Sequence, residues 1–99
     1  MRYTRSMKTP KAYVLHTDGR REEILPADGS EFSLPELQNI VGGYIEFIPS
    51  LEPGYFLVVN EEGKLLQLSP NESATNLSAY RGQDIVLGDV LLCPHGMVS

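Results

Sequence analysis

The chain has 99 residues and a mass of 11.0 kDa, enough for one small domain. A hydrophobic content of 41% excludes a disordered chain, the single Cys93 excludes an intramolecular disulfide, and no apolar run reaches the roughly 18 residues that span a bilayer. The formal net charge is −5, yet Arg2, Arg5, Lys8 and Lys11 stand in an opening segment without acids, so residues 12–99 carry 4 cations against 13 anions, a net of −9.

Residues 1–10 show no apolar periodicity and end in Pro10; they read as a flexible basic tail. Cations without an apolar stretch behind them are not a secretory signal, and a lone cysteine fits a reducing compartment, so the expected location is cytoplasmic. Lys11 to Thr17 is a strand with β-branched and aromatic content, Asp18-Gly19 is a turn, and Glu22 to Leu25 returns as a hairpin partner. Pro26 to Ser30 is a second turn.

Ser33 and Glu36 have the spacing of a capping box, with Phe32 and Leu37 placed as a hydrophobic staple. Leu34, Leu37, Ile40 and Val41 recur at helical spacing, and Gly42 suits the left-handed C-cap. Tyr44 to Ile48 is the next strand, with Glu46 pointing away from the core. Tyr55 to Val59 is continuously apolar, the pattern of a central strand covered on both faces.

Asn60 to Gly63 reads as a hairpin turn, with Lys64 to Leu68 pairing back as a strand. Pro70 to Tyr80 reads as a second short helix with Asn71 as N-cap. Ile85 to Leu87 and Val90 to Cys93 form a last strand broken at Gly88-Asp89. The expected architecture is α+β: a single small domain over residues 11–93, a mainly antiparallel sheet of about 5–6 strands, two short helices, and a C-terminal tail over 94–99.

No constellation for catalysis emerges. Cys93 and His95 are close in sequence and lack a third, orienting group. One closed zinc site takes about four ligands, more than Cys93, His16 and His95 supply. Val41-Gly42-Gly43 follows a helix, whereas a phosphate loop precedes one. Glu61-Glu62 and Glu22-Glu23 are adjacent pairs whose side chains diverge on a strand. Tyr13, Tyr44, Tyr55 and Phe56 could stack bases on a sheet, but that mode needs a positive field. Catalytic residues, metal ligands and cofactors are therefore expected to be absent.

Several stretches in this order carry a resemblance: Thr17-Asp18-Gly19, Phe32 to Gln38, Val41-Gly42-Gly43-Tyr44-Ile45-Glu46, Val59 to Lys64, Asn71 to Thr75, and Gly88-Asp89-Val90-Leu91. Over about residues 11 to 93 the chain resembles a small family of unknown function found in bacteriophages, plasmids and integrated elements of bacteria. The resemblance implies a small cytoplasmic protein from mobile DNA. It draws attention to Glu46, Asn60, Glu61 and Asn71. Turn formation accounts for Asn60 and Glu61, and capping for Asn71; Glu46 has no such account.

The leading expectation is a non-enzymatic accessory protein that binds a basic protein partner through an acidic surface, with Glu46, Asn60, Glu61, Glu62 and Asn71 as candidate contacts. Duplex DNA is not expected as a partner, because its binding draws on Lys and Arg; no membrane is expected either. The alternatives are a nucleic-acid-associated protein using the basic tail and sheet aromatics, and an enzyme with a site near Glu46.

Overall fold

Alternation and turn chemistry set five strands and two helices over residues 10–98, the part of the chain that the computed structural model describes. The strands are β1 (Ala12–Leu15), β2 (Arg21–Ile24), β3 (Ile45–Pro49), β4 (Tyr55–Asn60) and β5 (Val90–Pro94); the helices are α1 (Leu34–Val41) and α2 (Glu72–Leu77). All pairings are antiparallel, in the order β2-β1-β5-β4-β3. The domain is thus α+β, as its interleaved patterns predict. The predicted basic tail lies outside the described residues apart from Pro10.

Both faces of the sheet are covered, and the odd–even alternation of each central strand divides the core. Ala12, Val14, Val58, Leu91 and Cys93 meet Phe32, Leu37 and Val41 on the α1 face. Leu15, Leu57, Val59, Val90 and Leu92 meet Ala74 and Val86 on the α2 face. The continuous apolar run of β4 follows from this, since both of its faces are buried.

α1 begins as its sequence dictates. The Ser33 amide donates to Glu36 Oε1 at 2.8 Å, and the Glu36 amide returns to Ser33 Oγ at 3.3 Å. Glu36 Oε2 also accepts from the Ala27 amide at 2.7 Å, tying the preceding turn to the helix. These backbone donors hold the Glu36 carboxyl below its usual range, Ser33 first and Ala27 next. Gly42 ends the helix in the left-handed region at φ 82°.

Three expectations are corrected. Lys64 to Leu68 is not a strand, because β4 already has β3 on one edge and β5 on the other, which leaves a returning strand nothing to pair with. The segment coils instead, with the Leu66 amide on the Glu62 carbonyl and the Leu68 amide on the Gly63 carbonyl. Ile85 to Leu87 is likewise no strand; Leu87 makes one isolated bridge, to Pro70. The predicted second helix shortens to Glu72–Leu77 because Ser78 leaves helical geometry and pairs with Ser50.

The predicted C-terminal tail also belongs to the fold. Pro94 is the end of β5, His95–Met97 forms one 3-10 turn, and Met97 is buried in the α1-face core. The Phe32 amide donates to the Met97 carbonyl at 2.8 Å, so the end of the chain secures the staple residue of α1.

The capping geometry sets an order of stability losses. Ser33→Ala should cost roughly 0.5–2 kcal/mol in denaturant melts. Glu36→Ala should cost more than Ser33→Ala, because it orphans two amides held at shorter distances. The reverse order would place the start of α1 under other control.

Candidate functional site

A groove of about 490 Å³ opens on the α2 face, where β3 and the end of β4 face the segment that leads from α2 to β5. Ile48, Val59 and Val86 give it an apolar floor, and Leu65, Tyr80 and Ile85 add exposed apolar walls. Glu46, Glu61, Glu62 and Asp84 supply carboxylates around it. Glu46 stands directly opposite Val59 across the β3–β4 ladder. Among the described residues the groove has one cation, Lys64, and it is engaged by Asp84 at 3.2 Å. The Ile85 amide, and then Lys64, hold the Asp84 carboxyl below its usual range.

The covering segment is pinned at both ends. The Leu51 amide donates to the Leu77 carbonyl at 2.7 Å and the Ala79 amide to the Pro49 carbonyl at 3.0 Å. At the other end the Asn71 amide donates to the Val86 carbonyl, and the Val86 amide to Thr75 Oγ1. Ser78 lies fully buried at the back of the groove, its hydroxyl oxygen accepting from the Tyr80 amide at 3.0 Å.

The structure gathers four of the five sequence-selected residues, Glu46, Asn60, Glu61 and Glu62, at this groove and leaves Asn71 out. The two asparagines are buried and their polar atoms are turned inward. Asn60 Nδ2 donates to the Val41 carbonyl at 3.1 Å, and its Oδ1 accepts from the Glu62 amide at 2.7 Å. This explains Gly43, since a Cβ there would stand 2.9 Å from Asn60 Nδ2.

Asn71 is wholly buried. Its Oδ1 caps α2 through the Ala74 amide at 3.0 Å, while Nδ2 donates to the carbonyls of Leu15 and Gly88, both at 2.8 Å. The side-chain amides of Asn60 and Asn71 both make internal bonds. Both hold the frame of the groove.

Leu65, Tyr80 and Ile85 escape the sequence reading because it places them in regular elements. The apolar residues Leu65, Leu66 and Leu68 break strand alternation, which is the one local sign that Lys64 to Leu68 is not a strand.

A second polar cluster joins distant parts of the chain. His16 Nδ1 lies 3.0 Å from Asp89 Oδ2, and His16 Nε2 lies 2.9 Å from Glu22 Oε1. Asp89 Oδ1 also accepts from the Thr17 amide at 3.0 Å. Two carboxylate acceptors are satisfied together only when both ring nitrogens carry protons. Glu22 foremost, with Asp89 adding to it against the cost of burial, raises the His16 pKa above 6.5. Cys93 is the opposite case: burial pushes its thiol up to about 12 and keeps it inert.

Among the described residues, no helix is long and apolar enough to cross a membrane, and no group of three His, Cys, Asp or Glu is arranged to hold a metal ion. A family model with the description "Domain of unknown function (DUF3846)" matches residues 10–97. No curated protein and no solved structure matches the chain.

Two measurements test these assignments. Asn71→Ala should lower unfolding free energy by about 2–4 kcal/mol, from the lost cap and two orphaned carbonyls. Asn71→Asp should not rescue it, because the carboxylate keeps the cap acceptor but loses both donors; wild-type stability in that variant would refute the donor role.

For His16, a folded-state pKa above 6.5 contributes stability that is fully present below 6.5 and is lost as pH rises through the folded value. Unfolding free energy should therefore fall as pH rises from about 6.5 through the raised folded value, and His16→Gln should flatten that slope.

Proposed function

The chain belongs to the family described as Domain of unknown function (DUF3846), and on that premise we propose that it is a non-enzymatic protein-binding module whose partner docks on the β3 side of the sheet. One observation carries the reading. Tyr44, Phe47, Leu51, Leu65, Leu66, Tyr80 and Ile85 are exposed, and all lie on β3, within two residues of it, along the groove described above, or, for Leu66, along a second groove lined also by Gln38, Tyr44 and Glu62. A concentration of exposed apolar side chains rimmed by polar ones is the mark of a protein-interaction surface.

The rim gives that surface a sign. Glu46, Glu61 and Glu62 favour a partner with a basic face and disfavour phosphate backbones. In this reading the protein is an accessory factor of phage or mobile-element origin that works in the cytoplasm; its resemblance to proteins of that context and its lone buried thiol support this.

The test uses charge reversal at the turn after β4, where the side chains can change without disturbing the backbone bonds. The full chain, immobilised against source-cell lysate, should retain a protein that the Glu61→Lys/Glu62→Lys chain retains at least about tenfold less, with association slowing as salt rises. Duplex DNA should not bind at about 150 mM salt. Equal capture by both chains overturns the reading, as does duplex binding that survives that salt.

A further inference from the structure

The two edges of the sheet are not equivalent. On β3, the Glu61 amide donates to the Tyr44 carbonyl at 2.9 Å, and the register runs from Ile45↔Asn60 to Pro49↔Phe56. Antiparallel pairs alternate between bonded and non-bonded positions. Tyr44, Glu46 and Ile48 therefore bond to β4, while the N–H and C=O groups of Ile45 and Phe47 face outward.

Further along, that outward edge is already paired. The Pro49 carbonyl takes the Ala79 amide, the Leu51 amide gives to the Leu77 carbonyl, and Ser50 bridges Ser78. Residues 77–79 are thus the stub of a sixth strand. The chain then turns away, with the Arg81 amide on the Ser78 carbonyl and the Gln83 amide on the Tyr80 carbonyl. No protein group among the described residues bonds the outward backbone of Ile45 or Phe47.

We propose that the partner completes this sixth strand. An extended segment adds antiparallel to Ile45–Phe47, with Lys or Arg opposite Glu46 and apolar residues on either side. The proposal rests on the protein-binding reading and specifies how the partner is recognised. Ile45 and Phe47 would each exchange two backbone bonds with the incoming segment. Its central side chain falls on the Glu46 face, toward the groove, where Glu61 and Glu62 add negative charge and Lys64 is occupied by Asp84. Its flanking side chains fall beside Phe47, which stacks on Phe56 at 4.9 Å and remains half exposed.

Charge decides against a second copy as the occupant. An isologous pairing that uses Ile45 and Phe47 of both chains sets Glu46 against its own counterpart, at the non-bonded position where side chains are closest. Shifting that register one way engages Gly43, whose amide is already given to the Gln38 carbonyl at 3.1 Å, and the other way Pro49, which has no amide and whose carbonyl already accepts from Ala79. Glu46 thus blocks self-pairing and selects a cation with the same carboxylate.

The test is amide hydrogen exchange on the full chain with two peptides, acetyl-Thr-Val-Lys-Val-Thr-amide and its Glu-centred counterpart. The Lys peptide should slow exchange at the Ile45 and Phe47 amides, and bind about fivefold tighter than the Glu peptide. Glu46→Lys should invert that preference. Equal binding of both peptides, or no protection at those two amides, overturns the proposal. So does protection that rises with protein concentration in the absence of peptide, which would make a second copy the occupant. A partner that still depends on Glu61 and Glu62 while neither peptide protects the edge leaves the binding reading standing and removes this one. Edge protection with a peptide preference that Glu46→Lys inverts, but no partner that depends on Glu61 and Glu62, upholds the strand addition and removes only the role of those two carboxylates from the binding reading.

Discussion

The Asn71 side chain lies where α2, the end of β1 and the turn before β5 converge, and it bonds to all three. α2 has six residues, too few to persist without tertiary support. The long connection from β4 to β5 holds only that helix, and it must cover the apolar face formed by Leu57, Val59, Val90 and Leu92. A buried amide with three internal partners fixes where this connection can lie, since leaving any of those groups unpaired away from water is expensive. The groove exists because the connection is held at Asn71 on one side and at Ser50 and Ser78 on the other.

The sheet treats its two edges differently. β2 carries Arg21, Glu22 and Glu23, and Arg21 lies over the Tyr13 ring at 4.2 Å. Charge of this kind blunts an edge against unwanted pairing. β3 has one carboxylate, Glu46, and one proline, Pro49, whose missing amide is harmless at an edge. Exposed Tyr44 and Phe47 remain beside an edge with open bonding positions. An edge that is charged and yet left apolar at its margins is better suited to selective pairing than to plain protection.

What the sequence made legible was local. The α1 box spans four residues, so Ser33 and Glu36 announce it, and Gly42 marks the helix end. The Asp18-Gly19 hairpin and the doubly buried β4 are legible for the same reason. Lys64 to Leu68 misleads because whether a segment pairs depends on which edges are free, and β5, far along the chain, takes the place it would have used. Met97 depends on Phe32 in a similar way. At the site, Glu46 and Glu61 stand out as polar residues on a strand and a turn. Asn71 reads correctly as a cap, but its bonds to Leu15 and Gly88 join parts of the chain that no local pattern connects.

The strand order has a consequence for how the molecule is made. β5 sits in the middle of the sheet, between β1 and β4, although it is the last of the five strands to be synthesised. Without β5, the pairings open to the other four strands are the two separate hairpins β1–β2 and β3–β4, each with the edge that β5 fills left open. A lone hairpin is marginal in water, so neither half is secure until β5 inserts between them. Closure must wait for β5, and contacts of such long sequence separation make it slow. Without β5, the inward edges of β1 and β4 are unpaired strand edges, the feature that makes partly folded chains prone to misassembly.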